Sequence, residues 1–208
     1  MDFIRRNNSD VVMLQEIDIK KDTFESCDYI NSNYVIYSNN ARSGYGTTTL
    51  VSSSLRVGGV QYDEEGRAII IEIREYSIGN VYLPSGTDHR AKQKRDKYCA
   101  EVLPRLLIGC KPTGMIGGDW NCIIADEDAS NYPEAKRSRT LQRLVRWGEW
   151  KDCYRDYAPQ GKEFSRFYKV GNKRGAGRID RAYHWGTGVV NSAAVSYTHL
   201  TLPTILLV

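Results

Sequence analysis

The sequence predicts an α+β domain built of antiparallel meanders rather than a regular alternation of strands and helices. Short β-prone runs recur at close spacing, over residues 34–37, 47–51, 68–73 and 81–83. Turn-rich pieces separate them, including Ser43-Gly-Tyr-Gly46 and Asp63-Glu-Glu-Gly66. Helical periodicity is confined to two longer stretches, residues 88–108 and 132–150. At 208 residues and 41% hydrophobic content, the chain suits one domain with a substantial core.

Charge is unevenly divided. Residues 1–85 carry 8 Lys/Arg against 12 Asp/Glu, whereas residues 86–185 carry 21 against 13, so the second half is the side suited to a polyanion. Any single basic cluster also reads as a solvated face. The five cysteines (Cys27, Cys99, Cys110, Cys122, Cys153) form no C-x-x-C pair and meet no His at finger spacing. That argues for reduced thiols in an intracellular protein, nuclear or cytoplasmic, and against a zinc site. No secretion signal and no membrane-spanning stretch are read.

Residues 186–208 hold no charged residue, where the chain-wide 26% would give about six. Within them, Val195-Ser-Tyr-Thr-His-Leu-Thr-Leu-Pro-Thr204 resembles an in-frame translation of transposase-adapter DNA from library preparation. The domain is therefore expected to occupy residues 1–194, with 195–208 as sequencing-adapter read-through outside the fold.

Taken in order, residues 2–6 read as the end of a helix and Asn7-Asn8-Ser9-Asp10 as a turn. Val11-Val12-Met13-Leu14 is a buried-type strand running into Gln15-Glu16. A carboxylate at the end of an apolar strand stands where α/β enzymes place ligands, although an exposed strand-end Glu is the commoner case. Gly44 and Gly46 make no nucleotide loop, because strand-type Thr47-Thr-Thr-Leu-Val51 follows rather than a helix. Val81-Tyr82-Leu83 halts at Pro84, which cannot donate to a ladder, so Tyr82 stands just before a sheet edge. The plainer reading is a half-buried strand tyrosine.

Residues 88–108 put Tyr98, Val102, Leu103, Leu106 and Leu107 on one helix face, and Arg90, Lys92, Lys94, Arg95 and Lys97 in the first half. Pro104 is expected to kink or divide this helix. His89 reads as a surface residue. Met115-Ile116 then run into Gly117-Gly118-Asp119-Trp120-Asn121. In an extended segment positions i and i+2 share a face, so Asp119 and Asn121 would stand side by side, able to hold a water and a phosphate oxygen together. The alternative is a strand ending in an Asp/Asn turn.

Asp126-Glu127-Asp128 reads as a solvated loop. Residues 132–150 read as a second helix, with Leu141, Leu144 and Val145 inward and Lys136, Arg137, Arg139, Arg143 and Arg146 outward. Residues 163–168 read as a strand, 169–176 as a Gly/Lys/Arg loop, and 177–183 as another strand whose alternation puts Arg178 and Asp180 on one face. A buried Asp180 needs a partner; at the surface it would pair with Arg178 or Arg181. His184 reads as a packing residue.

Four of these pieces, in this order, resemble the motifs of the endonuclease/exonuclease/phosphatase superfamily of Mg-dependent phosphoesterases: Leu14-Gln15-Glu16, Tyr82-Leu83-Pro84, Gly118-Asp119-Trp120-Asn121 and Arg178-Ile179-Asp180. Within it, Phe164-Ser-Arg-Phe-Tyr168 through Gly177-Arg-Ile-Asp-Arg-Ala-Tyr-His-Trp185 is similar to the AP-endonuclease-like domains of non-LTR (LINE-type) retrotransposons. The resemblance covers about residues 1–194. It implies a four-layer α/β/β/α sandwich of two packed mixed or antiparallel sheets (DNase I-like), truncated at both ends. The family's first strand, with an Asn near the metal, and its terminal Ser-Asp-His are not found. His199 follows Thr198 where the family has Asp, so it does not complete that motif.

The resemblance further implies Mg2+, with Mn2+ as a substitute, held chiefly by Glu16. Asp119 and Asn121 would act on the attacking water, Tyr82 on the phosphate, and Asp180 would hold a histidine. The activity implied is nicking of double-stranded DNA to leave a 3′-hydroxyl for reverse transcription. DNA would pass Arg90, Lys92, Lys94, Lys173 and Arg174, and a downstream reverse transcriptase domain of the same polyprotein is a possible partner of a monomer. A chain lacking the end motifs is expected to be inactive or nearly so. The alternatives are an abasic-site or exonuclease III-type DNA repair nuclease, a lipid or inositol-phosphate phosphatase, and a non-catalytic nucleic-acid-binding remnant.

Overall fold

The apolar runs of the sequence fold into two sheets packed face to face. The computed structural model describes residues 2–17, 27–40, 46–130, 137–170, 172–187, 190, 193 and 205–207. In its first half the elements are α1 (Asp2–Asn7), β1 (Val11–Ile17), α2 (Asp28–Asn33), β2 (Tyr34–Asn40), β3 (Gly46–Ser52), β4 (Val57–Tyr62), β5 (Ala68–Ile73) and β6 (Tyr76–Tyr82). Then come α3 (His89–Lys97), a π-helical turn Tyr98–Val102, α4 (Leu103–Leu107), β7 (Thr113–Asp119) and a 3-10 turn Asp126–Asp128. The remainder is α5 (Arg139–Trp147), β8 (Lys151–Asp152), α6 (Cys153–Tyr157), β9 (Arg166–Val170), β10 (Lys173–Gly177), β11 (Asp180–Trp185) and β12 (Ile205–Leu207).

One sheet has the order β12-β1-β3-β2 and is antiparallel; the other has the order β4-β5-β6-β7-β11-β8. Its β6–β7 pair is parallel, and such a pair needs a long crossover, which α3 and α4 supply. Between the sheets, Val11, Met13 and Val51 meet Ile69, Ile71 and Ile73 of β5. On the outer face of the first sheet, Ile4 of α1 and Ile30 of α2 pack on Val12, Leu14 and Leu50. Over the second sheet, Leu103, Leu141 and Leu144 pack with Ile70, Ile116 and Tyr183. The result is the four-layer α/β/β/α sandwich that the motifs implied.

A polar contact crosses the inter-sheet core. Asn80 of β6 is 1% exposed. Its Nδ2 donates to the Leu14 and Thr48 carbonyls at 3.3 and 3.0 Å and to Thr49 Oγ1 at 3.1 Å, while its Oδ1 accepts from Gln15 Nε2 at 2.6 Å.

Several local expectations need correction. The helix expected over 88–108 runs unbroken through Pro104, with a π-helical turn just ahead of the proline: the backbone stays right-handed helical at Lys97, Tyr98, Val102 and Leu103, and the Leu103 N–H reaches back five residues to the Tyr98 carbonyl. Arg95 does not belong to the exposed basic run. It is 2% exposed, and its Nη1 donates to the Pro84 and Gly86 carbonyls at 2.8 and 2.9 Å. The second helix is shorter than its periodicity suggested, beginning after Ser138, whose Oγ caps the Leu141 N–H at 3.2 Å. Residues 132–136 of that expectation lie outside the described residues.

Residues 169–176 are mostly hairpin rather than loop, with β9 and β10 paired and the Tyr168 ring lying where a Cβ on Gly175 would go. The strand expected over 177–183 begins only at Asp180. Ile205–Leu207, inside the segment expected to lie outside the fold, pair with β1. A strand edge presents unpaired backbone groups that take up an extended segment whatever its origin. All five cysteines are free thiols, and among the described residues no helix is long and apolar enough to cross a membrane.

The largest correction concerns Asp128, expected in a solvated loop and found 1% exposed. Its Oδ1 accepts from Arg178 Nε and Nη2 at 3.1 and 2.7 Å and from Arg155 Nη2 at 3.3 Å; its Oδ2 accepts from Arg181 Nη1 at 3.3 Å. Arg178 also holds Asp152 through two bonds of 3.0 and 2.6 Å. Burial acts to raise the Asp128 pKa, but Arg181 and Arg178 outweigh it and hold the carboxyl below its ordinary value. Its contribution to stability is therefore present above the ordinary carboxylate pKa and fades as pH falls through the depressed one. Asp128→Ala should lower the unfolding free energy in urea at pH 7 by about 3–5 kcal/mol, because buried Arg181 loses its counter-charge and buried Arg178 loses one of its two. A loss below about 1 kcal/mol would contradict the clamp.

Candidate active site

The site is assembled from both sheets at one end of the sandwich. In β1 every residue but Glu16 is buried. The β1–β3 register shifts between Gln15 and Ile17, and Glu16 sits at φ 56°. A bulge of this kind re-aims one side chain, and a non-glycine residue in the left-handed region is strained. Across the gap, the Tyr82 hydroxyl donates to Glu16 Oε1 at 2.9 Å.

Tyr82 ends β6. The Arg67 guanidinium lies 5.4 Å from its ring centroid, and Arg67 Nη1 approaches the Tyr82 carbonyl at 3.4 Å. Burial, then the hydrogen bond and charge of Glu16, push the Tyr82 phenol up to about 12. At neutral pH it is a hydrogen-bond donor.

Asp119 ends β7, with Tyr82 as its register partner on one side and Asp180 on the other. Three adjacent strand ends thus carry a Tyr–Asp–Asp row at steps of about 4.8 Å. Gly118 permits this approach: at φ 141° a Cβ would strike the Val81 carbonyl. Asn121 does not reach Asp119 by strand alternation. Its N–H donates to Asp119 Oδ1 at 2.8 Å, closing an Asx turn, and its backbone turns left-handed at φ 49°. The Asn121 amide then donates to Asp119 Oδ2 at 3.1 Å and to the Leu83 carbonyl at 2.9 Å. An Asp/Asn turn, not strand alternation, builds the pair.

Asp119 is 7% exposed. Burial above all, then the charges of Asp180 and Glu16, push its carboxyl well up; the Asn121 N–H and Arg166 pull the other way. Asp180 is positioned through its backbone, since Ser165 Oγ accepts from the Ile179 and Asp180 N–H groups at 3.1 Å each. Arg178 and Asp180 do not share a strand face, and Arg178 and Arg181, the ion-pair partners weighed for Asp180, are engaged by Asp128, Asp152 and the Cys122 carbonyl.

The structure therefore brings together Glu16, Tyr82, Asp119, Asn121 and Asp180. It adds Ser165, Arg166, Arg67 and Asn80, which sequence reasoning did not single out. A lone Ser within aromatic Phe164-Ser-Arg-Phe167 and a lone Asn within β6 were the available signals. Arg90, Lys92 and Lys94 are exposed on α3, and Arg174 is exposed on the β9–β10 hairpin. The side chain of Lys173 and all of His199 lie outside the described residues. His89 is exposed, and buried His184 meets Asp156 at 2.7 Å on another part of the molecule. Among the described residues no three acidic, His or Cys side chains form a metal cage.

A two-sheet sandwich with carboxylates gathered at one rim is the frame of a class of phosphodiester-cleaving hydrolases. The chain belongs to the Endonuclease/Exonuclease/phosphatase family, whose profile matches residues 1–201. Among solved structures, it is similar to an AP endonuclease from Archaeoglobus fulgidus, at 16% identity and TM-score 0.71 over 88% of this chain and 79% of that one. The 3′-5′ exonuclease NExo from Neisseria meningitidis matches at 20% identity and TM-score 0.71, over 88% and 79%. TDP2 from C. elegans matches at 22% and 0.62, over 89% of this chain and 57% of that one. These likenesses show the fold. No curated protein sequence matches the chain.

Because the Asp119 pKa is raised on folding, the native state binds more protons than the unfolded chain once pH passes the ordinary value of 3.8. Its charge then costs stability, increasingly until pH exceeds the raised value. Asp119→Asn should therefore unfold at a higher temperature than the wild type at pH 8, with the gap shrinking toward pH 4. A gap that is constant or grows toward acid pH would contradict this.

Proposed function

We propose that this site hydrolyses DNA phosphodiester bonds with a divalent cation, Mg2+ or Mn2+, leaving a nick with a 3′-hydroxyl that a reverse transcriptase can extend. The observation that carries the reading is the Tyr82–Asp119–Asp180 row on one sheet facing Glu16 on the other. The residues fit a hard cation: the donors are carboxylate oxygens, and the charges of Asp180 and Glu16 both bear on Asp119, with Arg166 as its cationic neighbour. Mg2+ is usually held by one or two carboxylates and keeps several waters, which suits Glu16 without a closed cage. When bound, it supplies charge neutralisation at the phosphoryl oxygens and the leaving group.

The chain's own residues do the rest. Asp119, its carboxyl raised by burial, is suited to accept a proton from the attacking water. Asn121 fixes the carboxylate, since both hydrogens of its amide are taken by Asp119 Oδ2 and the Leu83 carbonyl. Tyr82 stays protonated; its one hydrogen goes to Glu16 here and would turn to a phosphate oxygen when substrate is bound. Asp180 stands beside Asp119 across the β7–β11 register and is the residue to orient a histidine. Arg90, Lys92 and Lys94 on α3, with Lys173 and Arg174 on the hairpin, offer salt-sensitive phosphate contacts along double-stranded DNA.

The similarity of residues 164–185 to LINE-type domains supports target nicking ahead of a reverse transcriptase domain. The fold shared with an AP endonuclease favours the second reading, cleavage at abasic sites. Both are tested with the domain expressed together with its flanking genomic sequence. Nicking of supercoiled plasmid in Mg2+ should fall about 10²–10⁴-fold in Asp119→Ala; undiminished nicking would refute the assignment. Comparable cleavage of intact and abasic duplexes is expected, and a strong abasic preference would select the repair reading.

A further inference from the structure

Helix α5 presents a surface that the active edge does not use. Arg139, Arg143 and Arg146 recur at i, i+4 and i+7 and are all exposed. Trp147 is 71% exposed, whereas Trp120 and Trp150 are 0% and 9% exposed and Trp185 is partly buried. At about 100° per residue, these four side chains lie within an arc of about 100°. Leu141 and Leu144, facing the other way, enter the core. Among the described residues, no acid pairs with the three arginines. The acids near the start of the helix are engaged elsewhere, Asp126 by Arg137 at 2.8 Å and Asp96 by Ser138 at 2.9 Å.

Residues four apart on a helix sit about 5–6 Å from one another, and the stripe runs about 12 Å from Arg139 to Trp147. It begins near the rim of the site, because the Ser138 N–H bonds to the Ile123 carbonyl just beyond the Asp119–Asn121 turn, and it leads away along the helical layer. Guanidinium groups match phosphate oxygens in shape and charge. An exposed indole is a stacking platform, open to an unpaired base but not to one inside a duplex.

We propose that α5 is a second nucleic-acid surface, which takes a single strand with its phosphates on Arg139, Arg143 and Arg146 and a base on Trp147. Charge complementarity alone would also admit an acidic peptide, but the bare indole at the end of the arginine row selects a strand with stackable bases. The surface is defined by the charge and exposure of α5, so it stands or falls separately from the catalytic reading.

The test titrates the whole 208-residue chain with oligo(dT), following tryptophan fluorescence and anisotropy over a range of salt. Quenching is expected, and Trp147→Ala should abolish most of it and weaken binding about 5- to 100-fold. The triple variant Arg139→Gln, Arg143→Gln, Arg146→Gln should flatten the slope of log K against log salt by about 2. Circular dichroism checks that each variant is folded, and the arginine and tryptophan variants test the surface independently. Unchanged affinity and salt slope in the triple variant, quenching that persists in Trp147→Ala, or equal quenching by poly-glutamate would each overturn the proposal.

Discussion

Asn80 is the polar link on which the geometry of the site depends. Glu16 belongs to one sheet, whereas Tyr82, Asp119 and Asp180 belong to the other, and the apolar packing between the sheets is non-directional. Valine and isoleucine faces alone would tolerate a shift that hydrogen bonds do not. Asn80 binds Leu14, Thr48, Thr49 and Gln15 across the gap. Gln15 directly precedes Glu16, and Asn80 stands two residues before Tyr82, so the contact sets the level at which the phenol meets the carboxylate. A buried amide is costly unless its bonds are made, and that penalty is what makes the alignment specific.

Around that link the rim holds features that are unfavourable by themselves. Glu16 and Asn121 are left-handed non-glycine residues, and Asp119 is a buried carboxyl beside two other acids. Such strain persists only where surrounding structure over-determines it. The restraint comes from outside the reacting groups. Asp128 gathers Arg155, Arg178 and Arg181, fixing the chain on both sides of Asp180, and Arg95 pins the loop after Tyr82 through the Pro84 and Gly86 carbonyls. Ser165 holds the backbone at Asp180 itself. The rim is thus a set of oxygen donors gathered around a buried carboxyl that the neighbouring acids disfavour, the arrangement a divalent cation relieves.

What could be read from the sequence was local or periodic. The strand over Ala68–Ile73 and the carboxylates at strand ends follow from apolar runs and their terminations. What could not be read depends on partners far along the chain. Asp128 lies in Asp-Glu-Asp, which looks solvated until Arg178, 50 residues on, closes over it. β4 was hidden by Gly58-Gly59, where the register with β5 skips Gly58 and resumes at Gly59 opposite Glu72. The β9–β10 hairpin looked like a Gly/Lys/Arg loop because Gly175 is needed under the Tyr168 ring, a cross-strand contact. Arg95 sat inside a basic run, and only the loop carbonyls it binds distinguish it from Lys94. The Asp119–Asn121 pair was visible as residues but not as geometry, because alternation and a turn place the same side chains together by different routes.

The claim that the facing carboxylates form a cation-dependent site is tested most directly by thermal unfolding of the wild type and Glu16→Gln with and without Mn2+. A cation that binds only the native state stabilises it, by about 2.7 kcal/mol at a hundredfold excess over Kd. The wild type should show a midpoint that rises with Mn2+ and saturates, and Glu16→Gln should show little or none of that rise. The absence of any Mn2+-dependent shift in the wild type, or an equal shift in Glu16→Gln, would contradict the account.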